Sequence, residues 1–177
     1  MKFYHGSTES GLTVLCPVSK DKDGHPLLYL TDSFAYSLFY LRDRKTDFVT
    51  CGLAADGKVH YEEWFPNQLK ALYERRSGWI YEVNANAQPH RIRGIHVCRE
   101  AVAVTQPHYI EDAYCAIQNE IKKGTVIVRA FEEASQEQLR QYQADLAAWL
   151  RSAGPLPIEK QNFYRTYFPA CWKQAHE

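Results

Sequence analysis

Residues 3–7 of the chain read FYHGS, and residues 29–40 read YLTDSFAYSLFY. In the first stretch two aromatic residues give way at once to His5, Gly6 and Ser7. In the second, Tyr29 sits in a short apolar run and is followed eight and eleven residues later by Ser37 and Tyr40. Imidazole and hydroxyl groups both donate and accept hydrogen bonds near neutral pH, and phenol rings stack on flat ligands. The total of 12 Tyr and 4 Trp suits a cleft of that kind, although a Tyr-rich core is the commoner reason for such a count. A lone histidine near a strand end is more often structural, and His25, His60, His90 and His176 are taken so. Tyr36 and Tyr40, four apart, could equally be an aromatic patch packed under a loop.

Other chemistry is less well served. His96, Cys98, His108 and Cys115 do not have the spacing of a common zinc site. The five cysteines are scattered, odd in number and never in C-x-x-C spacing, which argues against a disulfide framework and for a reducing, cytoplasmic setting. Lys+Arg and Asp+Glu balance at 21 each, so there is no net field for phosphate backbones or anionic membranes. A specific nucleic-acid target stays open but is not indicated by charge. Polar residues follow Met1-Lys2, and no run approaches the ~20 apolar residues that span a bilayer, so neither a secretory leader nor a membrane segment is expected.

The elements that must position these residues follow from pattern. FYHGS reads as a strand stopping at Gly6, and LLYLT as a second strand entered through the turn signal DKDGHP. Asp32 is expected to cap a helix over SFAYSLFYLRD, with Phe34, Leu38 and Leu41 toward the core and Ser33, Tyr36, Ser37 and Tyr40 on the other face. FVTCGLAADGKVHYEEW reads as a hairpin turning at Asp56-Gly57. Pro66 is expected to open a helix that buries Leu69, Leu72 and Tyr73 and stops at Gly78. WIYEVNA, REAVAVTQ and TVIVRAFE read as strands, and EDAYCAIQNEIKK as an amphipathic helix through Tyr114, Ile117 and Ile121. Ser135 with Gln138 forms a capping box for a helix to about Ser152, whose buried stripe is Leu139, Tyr142, Leu146 and Trp149. From about residue 154 an irregular tail, with a short helix, is expected. No repeat or boundary interrupts the chain, so residues 1–177 are expected to form one α+β domain around a largely antiparallel sheet.

The His-Gly-Ser strand end, the strand Tyr and the helix carrying S-x-x-Y resemble the ADP-ribosyltransferase superfamily, in its diphtheria-toxin and poly(ADP-ribose)-polymerase-like branch. The resemblance is clear from Phe3 to Tyr40 and looser from Gly78 to Val104. It implies a split, mostly antiparallel sheet flanked by helices, with NAD as substrate and no metal. By resemblance, the backbone of Gly6 grips the nicotinamide carboxamide, where the missing Cβ permits close approach. Ser37 adds a hydroxyl to the same amide, and Tyr29 and Tyr40 sandwich the ring, with Tyr36 on the same helix face completing the cofactor-binding set. His5 hydrogen-bonds the adenosine ribose, assisted by Ser7.

The branch also carries a Glu at the start of a later core strand, and Glu100 in CREAVAV is the candidate. With His5 and Tyr29 it makes the implied catalytic set; its carboxylate would bind the nicotinamide-ribose 2′-OH and favour the oxocarbenium charge. Glu62, Glu63, Glu82 and Glu111 are competitors, each taken as a solvated surface carboxylate. Two departures narrow the activity. Cys98 stands two residues before Glu100, where arginine-specific and Rho-modifying families have Glu or Gln, and Tyr36 replaces the lysine of polymer-forming enzymes. The expectation is therefore transfer of one ADP-ribose unit to an unidentified acceptor, or hydrolysis of NAD. The alternatives are a catalytically silent module binding NAD, ADP-ribose or a macromolecular partner, and, more weakly, an RNA 2′-phosphotransferase using Arg42, Arg44 and Lys45.

Overall fold

Lys2–Ser7, the stretch holding His5, Gly6 and Ser7, forms strand β1 at the centre of the larger of two sheets. In the computed structural model, which describes residues 1–42 and 48–176, β1 is followed by β2 (Val14–Leu15), β3 (Ser19–Lys20) and β4 (Pro26–Thr31). Helix α1 (Phe34–Leu38) runs into a 3-10 turn over Phe39–Leu41. Then come β5 (Cys51–Leu53), β6 (Val59–Glu62), α2 (Gln68–Tyr73), β7 (Gly78–Asn84), β8 (Gln88–Pro89), β9 (Ile95–Cys98) and β10 (Val102–Ile110). The chain closes with α3 (Ala113–Lys122), β11 (Val126–Arg129), α4 (Gln136–Ser152), α5 (Ile158–Tyr167) and α6 (Pro169–His176). No described helix is long and apolar enough to cross a membrane.

The eight-stranded sheet has the order β2-β10-β7-β1-β4-β9-β8, with β3 added to β4, and all its pairings are antiparallel. The smaller sheet, β11-β6-β5, contains a parallel pair, β11 with β6. The α+β, mostly antiparallel expectation therefore holds. Alternation along β1 sends Phe3 into one apolar cluster, with Leu28, Leu30, Tyr81 and Val83, and sends Tyr4 against the other. That second cluster is the main core, between the large sheet, the helices and the small sheet.

Several local expectations are corrected. The cap of α1 is Ser33, whose hydroxyl accepts from the Tyr36 N–H at 3.1 Å; Asp32 instead lies 3.4 Å from His96 Nε2. A hydroxyl one residue nearer the helix reaches the free amide, and Asp32 is left to serve a neighbouring strand. The helix has no polar face, because Tyr36 and Ser37 are buried like Leu38. Helix α2 begins at Gln68, since Asn67 adopts φ 57°, and it is over by Glu74, before Gly78 opens β7. Along α4 the buried residues are Leu146, Ala147 and Leu150, whereas Trp149 is 45 % exposed and rests against Tyr164. The tail is no loose appendage. Helices α5 and α6 and the Phe168 between them bury Phe163, Tyr164, Phe168 and Cys171 in the main core, where Phe48 and Phe65 meet Phe163 and Phe168 ring to ring. Its polar residues hid that role by averaging out a sparse aromatic stripe.

Candidate functional site

Strand β1 pairs with β7 along its whole length, from Lys2 opposite Asn84 to Ser7 opposite Trp79, but with β4 it is registered at one position, Tyr4 opposite Thr31. Beyond Tyr4 the two strands have no further registered pair. Bridging that parting, the His5 Nδ1–H donates to the Tyr29 carbonyl at 2.9 Å, which assigns the tautomer because a carbonyl can only accept. A cavity of about 500 Å³ opens here, lined by His5, Gly6, Ser7, Tyr29, Tyr40 and, from the following turn, Arg42. That size is in the range of small-molecule and cofactor sites.

The segment after β1 closes one wall. Tyr81, 1 % exposed, donates its hydroxyl to the Glu9 carbonyl at 2.7 Å and accepts from the Leu12 N–H at 3.3 Å, while Ser7 Oγ accepts from the Glu9 N–H at 3.1 Å. Glu9, Leu12, Leu15 and Cys16 accordingly line the cavity. None of these was singled out from sequence. Tyr81 looked like any core residue of a strand, and a loop wall leaves no periodic trace.

The opposite wall is the α1 turn. Tyr40 lines the cavity, and Tyr36 packs behind it at 5.9 Å between ring centroids without lining the cavity itself. Burial, then Cys51 and each other's proximity, push the Tyr36 phenol far above its ordinary value, and burial raises Tyr40 as well, so both stay protonated hydrogen-bond donors. The Cys51 thiol beside them is pushed up to about 12 by burial and is no nucleophile. Tyr29 has His90 edge-on against its ring at 5.8 Å, a packing role in keeping with the structural reading of His90.

Three sequence-derived residues sit differently from expectation. Ser37 is fully buried, outside the cavity lining, and its hydroxyl donates to the Phe34 carbonyl at 2.6 Å. Gly6 is required for another close approach than that of a ligand: a Cβ there would lie 2.4 Å from the Ser37 carbonyl oxygen and 2.9 Å from Tyr40 Cβ. The glycine lets the helix lie against the strand, which is what brings Tyr40 to the cavity. Glu100 is exposed and stands outside the lining residues, in the short link between β9 and β10. Its carbonyl accepts from Cys98 Sγ at 3.5 Å. Two residues on, Val102 pairs with the wall residue Leu15, and Cys98 pairs with the wall residue Leu28. Glu100 is thus anchored beside the wall from both sides.

The competing carboxylates are mostly structural rather than solvated. Glu63 is buried and accepts from the Leu69 N–H at 2.9 Å at the start of α2. Glu62 pairs with Arg129 and accepts from the Tyr142 hydroxyl, and Glu82 lies 3.1 Å from Lys2 Nζ and 3.7 Å from His108 Nε2. Glu111 is exposed in a separate, open groove with Arg75 and Asp112. Among the described residues, His96, Cys98, His108 and Cys115 do not converge; the one cluster whose ligand atoms lie within 4.8 Å of one another is Asp21, Asp23 and His25, largely exposed. Arg44 and Lys45 of the phosphate-binding alternative lie outside the described residues.

No family model, curated protein or solved structure matches the chain.

Proposed function

We propose that the cavity between β1 and β4 binds NAD and that the protein is a mono-ADP-ribosyltransferase, or an NAD glycohydrolase, of the ADP-ribosyltransferase-like fold. One observation carries this reading: His5, Gly6, Ser7, Tyr29 and Tyr40, chosen from two stretches 22 residues apart in sequence (Ser7 to Tyr29), line one cavity where two central strands part. In this account nicotinamide lies between the Tyr29 and Tyr40 rings. The His5 ring, oriented by the Tyr29 carbonyl, turns its other nitrogen to a ribose hydroxyl. Departure of nicotinamide leaves positive charge on the ribose ring and its C1′, and a carboxylate near that carbon stabilises it. Glu100, in the link beside the wall strands, is assigned that role on the resemblance. Water or an acceptor nucleophile then attacks C1′ and loses its proton.

Silent binding of NAD is the second reading, favoured by the placement of Glu100 outside the cavity lining. Thermal melting with ligand tests the cofactor claim common to both. NAD and nicotinamide are expected to raise the melting temperature by mass action. Phe at Tyr29 or Tyr40 keeps the ring and much of the shift; Ala costs about 1–2 kcal/mol of NAD binding, the scale of an aromatic contact plus its buried area. Both tyrosines also pack against the main core, so Ala lowers the unliganded melting temperature too. Folded Tyr29→Ala and Tyr40→Ala proteins that bind NAD as the parent does would remove the clasp.

A further inference from the structure

We propose that Glu9 is the general base of the transfer step, the group that takes the proton lost by water or the acceptor as it attacks C1′; the inference rests on the NAD reading above. In that reading Glu100 acts on the charge that departing nicotinamide leaves behind, and the acceptor's proton still needs a destination. The C1′–N bond breaks with its electron pair on nicotinamide, an oxygen–C1′ bond forms, and the proton of that oxygen passes to a base. A carboxylate in the cavity suits the task.

Among the described residues that line the cavity, Glu9 alone carries a carboxylate. Other lining groups serve less well. The Arg42 guanidinium has no lone pair to offer, burial keeps the Tyr40 phenol protonated, and His5 directs its Nδ1–H to the Tyr29 carbonyl and its other nitrogen, in this account, to ribose. Both hydrogen bonds of Glu9 among the described residues are made by its backbone. Its N–H donates to Ser7 Oγ at 3.1 Å and its carbonyl accepts from the Tyr81 hydroxyl at 2.7 Å, which leaves the carboxylate for a ligand. Ser7 and Tyr81 are themselves buried, so the residue is mounted on a fixed peptide, and its exposure opens it to incoming water or acceptor. Glu9 lies on the segment after β1, apart from the α1 turn that carries Tyr40. A nicotinamide held against Tyr40 therefore leaves the Glu9 wall to the acceptor.

Following nicotinamide release by the parent protein, Glu9→Gln and Glu100→Gln, with and without sodium azide, tests this. Azide is an anion with no proton to lose, so it attacks C1′ without a base. Glu9→Gln is expected to keep the parent's rise in melting temperature with NAD and to release nicotinamide about 10²-fold more slowly in buffer. With azide it is expected to regain rate, as ADP-ribosyl azide forms and is seen by mass. Glu100→Gln is expected to stay slow in azide, since its loss falls on the breaking bond rather than on the proton. A Glu9→Gln protein as fast as the parent overturns the assignment. So does one that is slow with and without azide or no longer binds NAD, which marks Glu9 as part of the wall, and so does azide that speeds Glu100→Gln equally. A parent protein that leaves NAD intact with water and with lysate overturns the enzymatic reading itself, and the assignment falls with it.

Discussion

Replacing Glu100 by Gln is expected to leave NAD affinity near the parent value while nicotinamide release falls by about 10²–10³, the size of losing one well-placed electrostatic stabiliser. The amide keeps the shape and hydrogen-bonding capacity of the carboxylate but not its charge. It can still hold a ribose hydroxyl in the ground state, and it fails when positive charge develops as the glycosidic bond breaks. Exposure of Glu100 makes the variant safe for the fold, because its side chain has no described role in the core. Equal release by parent and variant would end the Glu100 assignment and move attention to Glu9, the carboxylate that lines the cavity.

Gly6→Val is expected to fail for a different reason, by breaking the frame of the site. A Cβ at this position would sit 2.4 Å from a backbone carbonyl oxygen, and backbone cannot swing aside as a flexible side chain can. Overpacking of a tight core position costs roughly 1–3 kcal/mol, and two further methyl groups put this variant at or above the upper end of that range. At roughly 2–4 °C per kcal/mol for a chain of this size, the melting temperature should drop by about 10 °C. NAD binding is expected to disappear along with the seating of Tyr40. A variant that melts like the parent would show that helix α1 does not press on β1 as described.

Much of this is legible in the sequence alone. Short strands around His5 and Tyr29, the Asp56-Gly57 hairpin and the capping box at Ser135 and Gln138 rest on local chemistry, and local chemistry is what a single sequence carries. The errors arise where tertiary packing decides. Trp149 and Leu150 compete for one stripe of α4, and the winner depends on α6 packing against it. Ser37 looked like a ligand donor because its type and spacing fit; its hydroxyl instead satisfies the helix carbonyl of Phe34, as serines within helices often do. The resemblance assigns the missing Cβ of Gly6 to the approach of a nicotinamide carboxamide, and the neighbour that a Cβ there would meet is the Ser37 carbonyl. Glu62, Glu63 and Glu82 gave no sign that they were held, since their partners Arg129, Leu69 and Lys2 are far away in sequence or reached through the backbone.

The most direct test of the account is to incubate the purified protein with NAD and follow free nicotinamide by mass, with and without cell lysate. The account predicts release of nicotinamide in step with loss of NAD, appearing as free ADP-ribose when water is the acceptor and as a mass gain on an acceptor when lysate supplies one. Intact NAD under both conditions, from a folded protein, would contradict the proposed activity.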